Sequence, residues 1–250
     1  MIKNELRVFF SAVMFFTRIP VPAWVGHSDE QLNRAGRYFP LIGWIVGGWC
    51  ALVFWLAAQI APVGIALVLS MGAGILLTGA FHEDGFTDMC DGFGGGWGKE
   101  QILAIMKDSR IGAYGVIAIT LMLGLKFLCL DALPVVTIPA ILVAGHALSR
   151  LVAVSLLRGL DYVRDDASAK SKPLATRASW GNLLVASTFG LLPLLLLPCI
   201  LLWALLPLVV FRFWFARYLR AKIGGYTGDC LGAAQQIAET LFYLSAVALL

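Results

Sequence analysis

Four acids, Glu83, Asp84, Asp88 and Asp91, fall in the segment Phe81-His-Glu-Asp-Gly-Phe-Thr-Asp-Met-Cys-Asp-Gly-Phe-Gly-Gly-Gly96, directly after a long apolar run, and no basic residue follows until Lys99. If the apolar run continues as helix into this segment, Asp84, Asp88 and Asp91 stand at i, i+4 and i+7 and share one face. Carboxylates so placed lie about 6 Å apart, and at an effective dielectric near 20 each pair repels by roughly 3 kcal/mol. Such a cluster needs protons or a cation. Hard oxygen donors at regular spacing favour Mg²⁺, with Mn²⁺ as the alternative, over zinc. Gly85 leaves the helix surface bare beside the acids, and Gly92 with Gly94 to Gly96 would end the helix where backbone amides can approach a phosphate. The chemistry indicated is a metal–phosphate site. Glu83, Asp84, Asp88 and Asp91 are the candidate ligands, and His82 at their border is a candidate proton relay or phosphate contact. A histidine at such a border serves structure more often than catalysis.

Other polar groups could complete the site. Asp108, in Met106-Lys107-Asp108-Ser109-Arg110, precedes an apolar run and could fold back onto the acids, with Lys107 or Arg110 facing phosphate oxygens. The plainer reading is a helix-entry cap flanked by anchoring basic residues. Gly224-Gly-Tyr-Thr-Gly-Asp229 is a further glycine-and-acid segment, read either as part of the site or as a turn with Asp229 capping the last helix. Arg150 lies inside an apolar run, where charge is expensive and faces a partner or a polar cavity. Glu239, with Gln235 and Gln236, offers one, so a Glu239–Arg150 pair is expected. Lys126, nearer the end of its run, is expected to snorkel.

The elements that must hold these groups are membrane helices. The chain of 250 residues is 60% hydrophobic and only 14% charged, against about 25% charged in a soluble domain. At roughly 20 residues per span, the apolar runs read as about seven transmembrane helices in one all-α domain covering 1–250. Their expected extents are 39–61, 62–81, 111–130, 134–157, two within 183–219, and 230–250. Residues 1–38 form a cytoplasmic or interfacial segment whose apolar stretch lacks a cleavage site, and 82–110 carry the acids. Apart from Lys126 and Arg150, the 19 Lys and Arg residues are assigned to one side of the bilayer. The positive-inside rule puts that side, the N-terminus and the acidic segment in the cytoplasm. The net charge of +4 is then a matter of orientation, and no basic face with interleaved aromatics points to nucleic acid. The five cysteines show no C-x-x-C spacing and read as buried free thiols.

No Walker loop, kinase triad or G-x-S-x-G elbow is present in the sequence, which argues against a nucleotide-driven motor and against acyl transfer. Carboxylate-held metal acting on a phosphate points instead to phosphoryl transfer. Phe16-Thr-Arg-Ile-Pro20, Tyr38-Phe-Pro-Leu-Ile-Gly43, His82 to Gly92, Met106 to Arg110, Gly145-His-Ala-Leu-Ser-Arg150 and Gly224 to Asp229 together resemble, in order, the cobalamin synthase family of adenosylcobinamide-GDP ribazoletransferases. The resemblance implies a multi-pass bacterial inner-membrane enzyme requiring Mg²⁺. Its substrates would be adenosylcobinamide-GDP and α-ribazole or its 5′-phosphate, with GMP released. It implies Asp84, Asp88 and Asp91 as metal ligands, Glu83 and Asp108 as ligands or base, and Asp229 as a polar contact. Lys107, Arg110, Arg150 and Arg18 are the expected substrate-binding cations. Association with other enzymes of nucleotide-loop assembly, and self-association, are left open. Loss of any of the three aspartates is expected to abolish transfer without unfolding the bundle.

Two rivals differ in testable ways. Asp88-x-x-Asp91-Gly92 also resembles the opening of the CDP-alcohol phosphotransferase signature, but Phe93 to Gly96 stand where Ala-Arg should follow. A cation-coupled transporter could use Glu239 and Arg150, yet its site would sit at the midplane with internal repeats, and the acids here gather at one interface.

Overall fold

The structure is a computed structural model, and it describes residues 2–26, 28–164 and 179–250. Eleven α-helices are found among them: α1 Ile2–Phe16, α2 Asp29–Ala35, α3 Phe39–Ala57, α4 Val63–Thr78, α5 Phe81–Gly95, α6 Lys99–Ile105, α7 Ala113–Asp131, α8 Ile138–Leu156, α9 Trp180–Leu191, α10 Leu205–Ile223 and α11 Gly228–Leu249. Short 3-10 turns join several of them, and no strand occurs among the described residues. The protein is an all-α polytopic membrane protein. Large apolar side chains such as Trp55, Leu76, Leu121, Leu195, Leu206 and Phe213 stand exposed on its outer surface, as hydrocarbon rather than water requires.

Every apolar run expected to be helical is helical, but the helices differ in kind. Four stretches are long and apolar enough to cross a bilayer, 30–57, 113–131, 135–156 and 199–223, and a fifth counts if α4 and α5 are taken as one bent span. The run at 180–219 does split in two, as its prolines suggest. Its first part is short, ending in the 3-10 turn Leu192–Leu196 before Pro198. The last helix, α11, is 22 residues long but buries Gln235, Gln236, Glu239 and Thr240, which lowers its apolar character. Arg212, assigned from sequence to the polar side, lies within α10 and donates to the Ser155 carbonyl at 3.0 Å.

The core is built around α3 and α8. Gly43 and Gly47 on α3 have no room for a Cβ against the α8 backbone at His146–Ala147 and Leu142–Val143, so the two helices approach as closely as small residues permit. On the other face of α8, α11 packs with Gly145 against the Tyr243 ring. At one end of this bundle α5, α6, the end of α10 and the start of α11 come together, and the acids are there.

The acidic helix is not a straight continuation of the span before it. α4 ends at Gly79, φ +68°, whose N–H caps back to Ile75 O, a left-handed helix stop. Ala80 is also left-handed, φ +60°, a conformation rare for a residue with a side chain. The two residues turn the chain by 88°. Arg18 holds the corner: its N–H donates to Leu77 O at 2.8 Å, and a Cβ on Gly79 would lie 2.6 Å from Arg18 Nε. α5 therefore leaves the direction of α4 and runs across the end of the bundle.

Candidate active site

Within α5 the i, i+4, i+7 spacing holds, but the three aspartates have different surroundings. Asp84 is exposed, Asp88 is half-buried and Asp91 is buried. Facing them is the first turn of α11. Gly85 makes that approach possible, since a Cβ there would lie 2.9 Å from Asp229 Cα. The surface that the sequence suggested was bare is thus filled by the α11 backbone. Asp229 accepts from Arg164 at 2.8 Å and from the Thr227 hydroxyl at 3.4 Å, and Arg164 also donates to Met106 O at 3.0 Å. Thr227 caps α11, its hydroxyl accepting from Cys230 N at 3.3 Å. Burial, then repulsion from Asp229 and Asp84, pushes the Asp88 carboxyl up to about 6, with Arg164 pulling the other way. The acids do crowd one another, and one of them holds a proton more tightly for it.

Asp91 serves a second purpose. Its Oδ2 accepts from Gly112 N at 2.7 Å and its Oδ1 from Gly115 N at 2.8 Å. These are donors at the start of α7 that have no partner within their own helix, so Asp91 caps α7 from a neighbouring helix. The glycine run after it does not form a phosphate cradle. α5 stays helical to Gly95, and Cβ atoms on Gly92, Gly94 and Gly96 would collide with Met106, Tyr114 and Ile102. These glycines are packing positions for α6 and α7.

The remaining candidates divide. Glu83 turns into the bundle, where its Oε1 accepts from Gln236 Nε2 at 2.9 Å, so it is not on the face of Asp84 and Asp88. His82 is buried, stacked on Phe16 at 5.6 Å. Asp108 does not fold back onto the acids among the described contacts. Arg110 grips it, with Nη2 to Oδ2 at 2.6 Å, and the same pairing holds its carboxyl down at about 2. Lys107 is exposed, and Arg18 sits at the α4–α5 corner rather than over the acids.

Behind α5 lies a buried polar network of a different pattern from the one expected. Lys126 does not snorkel: it is 4% exposed, and its Nζ reaches Glu239 Oε1 at 2.8 Å and Gln236 Oε1 at 2.6 Å. Glu239 Oε2 meets His146 Nδ1 at 3.0 Å and accepts from Gln235 Nε2 at 2.6 Å. Arg150, the partner expected for Glu239, instead donates to His146 O at 2.9 Å. Lys126 wins the carboxylate because α7 and α11 pack together deep in the bundle, which sequence position alone did not reveal. Gln236 then links this network to Glu83 and so to α5. Of these groups, Arg164 carried no signal in the sequence beyond being one more basic residue in a polar segment. His146, Gln235 and Gln236 were visible as polar residues in apolar runs.

The donor set can be compared with a divalent cation. Among the described residues no three His, Cys, Asp or Glu side chains converge as a ready cage. Mg²⁺, however, is commonly held by one or two carboxylates together with substrate phosphates and water. Asp84 and Asp88, one turn apart on the accessible side of α5, supply that kind of incomplete oxygen set, so the residues fit such an ion.

The family model described as cobalamin-5-phosphate synthase matches residues 8–247. This chain belongs to that family. It is 50% identical to an adenosylcobinamide-GDP ribazoletransferase of Shewanella frigidimarina, over 96% of this chain and 94% of the relative. It is also 50% identical to the enzyme of the same name from Ralstonia pickettii, with 96% and 94% covered, and 45% identical to that of Vibrio parahaemolyticus, with 99% and 94% covered. No solved structure matches the chain. Family membership agrees with the resemblance read from the motifs, and the all-helical membrane architecture agrees with the composition.

Proposed function

We propose that this protein joins α-ribazole, or its 5′-phosphate, to adenosylcobinamide-GDP, releasing GMP and forming adenosylcobalamin or its 5′-phosphate. The observation that carries the reading is the near full-length identity to ribazoletransferases, and the acidic face of α5 supports it. A ribose hydroxyl attacks the phosphorus bonded to the cobinamide. The new P–O bond forms as the bond to the bridging oxygen breaks, and the electron pair leaves on GMP. The hydroxyl proton passes to a carboxylate of the acidic face.

Asp84 and Asp88 are the residues that would hold Mg²⁺. When bound, the ion supplies charge neutralisation on the diphosphate and alignment of the attacking hydroxyl. Asp91 anchors α7 to α5 and keeps the acidic face in register. Arg164 fixes Asp229 beside Asp88 and brings positive charge to the edge where a diphosphate would approach. The distribution of Lys and Arg supports placing this end of the bundle in the cytoplasm, with the protein in the bacterial inner membrane.

The test is GMP release by protein purified in detergent or liposomes, supplied with adenosylcobinamide-GDP and α-ribazole, with and without Mg²⁺. Metal-dependent GMP with a joined corrinoid product is the expected result. Folded protein that releases no GMP with lipid and Mg²⁺ present would sink the proposal.

A further inference from the structure

A cleft opens beside the acidic helix, lined by Phe16, Phe39 and Phe81, by Leu231 of α11 and by Arg150 of α8. The empty space between its walls, its open mouth included, is about 470 Å³. Its walls are mainly aromatic and aliphatic, with His82, Gln235 and Arg150 the polar side chains among them. Phe16 and Phe81 meet edge to face at 5.7 Å, and the His82 ring lies parallel to Phe16. The cleft is next to the acids in sequence and in space: Phe81 and His82 open α5 two turns before Asp88, and Gly228 precedes Asp229.

One polar feature stands out. Arg150 is 2% exposed, and its Nε has no acceptor among the described residues. A buried donor left unpaired is costly, so a ligand that accepts from it gains what the free protein lacks.

We propose that this cleft is the subsite for the base of the nucleoside acceptor: a flat, uncharged, bicyclic aromatic ring whose unsubstituted nitrogen accepts from Arg150 Nε. The proposal rests on the transferase reading above and deepens it. The two substrates divide by chemistry. A guanine base carries several donors and acceptors and would leave them unpaired against the phenylalanine walls, and a corrin is far too large. A benzimidazole riboside has an apolar body suited to edge-to-face aromatic contact and one ring nitrogen in need of a donor. With its base in the cleft, its ribose lies toward the start of α11 and the carboxylates of α5.

The experiment uses full-length protein in nanodiscs and reads KM and kcat for GMP release with three acceptors. These are α-ribazole, the benzimidazole riboside lacking both ring methyls, and the indole riboside, in which C–H replaces the accepting nitrogen. Wild-type protein is expected to discriminate against the indole riboside at least 100-fold in kcat/KM, because a site built to hydrogen-bond rejects the analogue that cannot. Gly228→Val adds volume at a position where a Cβ meets nothing within 4 Å. It should raise KM for α-ribazole at least tenfold, shift preference toward the smaller benzimidazole, and leave KM for adenosylcobinamide-GDP unchanged. Ala153→Leu, on the α8 wall, is the second filling variant and should shift selectivity in the same direction. Wild-type protein that releases no GMP overturns the transferase reading itself. Wild-type turnover with equal use of the indole riboside, or unchanged selectivity in both filling variants, overturns the subsite alone. Loss of co-purified lipid from Gly228→Val with unaltered acceptor KM would likewise overturn it, making the cleft an acyl-chain site.

Discussion

Asp91 on α5 accepts from the Gly115 amide of α7 at 2.8 Å, so the third acid of the motif is also the cap of a transmembrane helix. The three aspartates should therefore not behave alike. Asp91→Ala leaves the partly buried Gly112 amide and the buried Gly115 amide without acceptors, at a cost of about 1–3 kcal/mol. Thermal unfolding in detergent should show a lowered midpoint for this variant. Asp84→Ala and Asp88→Ala should abolish GMP release while leaving the midpoint unchanged or raised, since they relieve repulsion. An Asp91→Ala protein as stable as wild type would show that the cap contributes nothing.

The Lys126–Glu239 pair is a stability element. Lys126→Met or Glu239→Gln alone strands a buried partner and should cost about 3–5 kcal/mol. The double variant should recover a large part of that loss. A double-mutant cycle on unfolding midpoints measures the coupling, and additive losses would mean that the two groups do not pair.

Gly85 sets the distance between α5 and Asp229. Gly85→Ala would place a Cβ 2.9 Å from Asp229 Cα and push the start of α11 outward. A shift approaching 1 Å in such a site costs about 100-fold in rate, so kcat for GMP release should fall by 10- to 100-fold with KM changed much less. Wild-type turnover in this variant would argue that Asp229 has no positional role.

The raised Asp88 carboxyl gives a pH dependence. Its folded value is about 6, against an ordinary value of 3.8, so the folded protein binds this proton more tightly than the unfolded chain. The destabilising contribution is then fully present above about 6 and is relieved as pH falls toward 4. In chelator, the wild-type minus Asp88→Asn difference in midpoint should shift in favour of wild type between pH 7 and pH 5. Divalent-ion affinity, which requires the ionised form, should fall over the same interval. A pH-independent difference between wild type and Asp88→Asn would contradict both expectations.

Much of this protein is written in its sequence through properties that need no partner. Composition and run length determine that it is a helical membrane protein. The helical period puts Asp84, Asp88 and Asp91 on one face, and the ordered motifs from Phe16 to Asp229 identify the family. What the sequence could not decide was which of several polar residues meet across helices. Lys126 rather than Arg150 meets Glu239 because α7 and α11 pack against each other. Arg164 reaches Asp229 from 65 residues away in the chain. Gly85 and Gly92 look alike as bare helix positions, yet one admits the α11 backbone and the other the Met106 side chain. The 88° corner at Gly79 and Ala80 likewise belongs to the tertiary structure, because a left-handed alanine is unfavourable by itself and is held there by surrounding contacts, including Arg18. Local periodicity acts through the chain's own geometry, whereas pairing across helices depends on how the bundle packs.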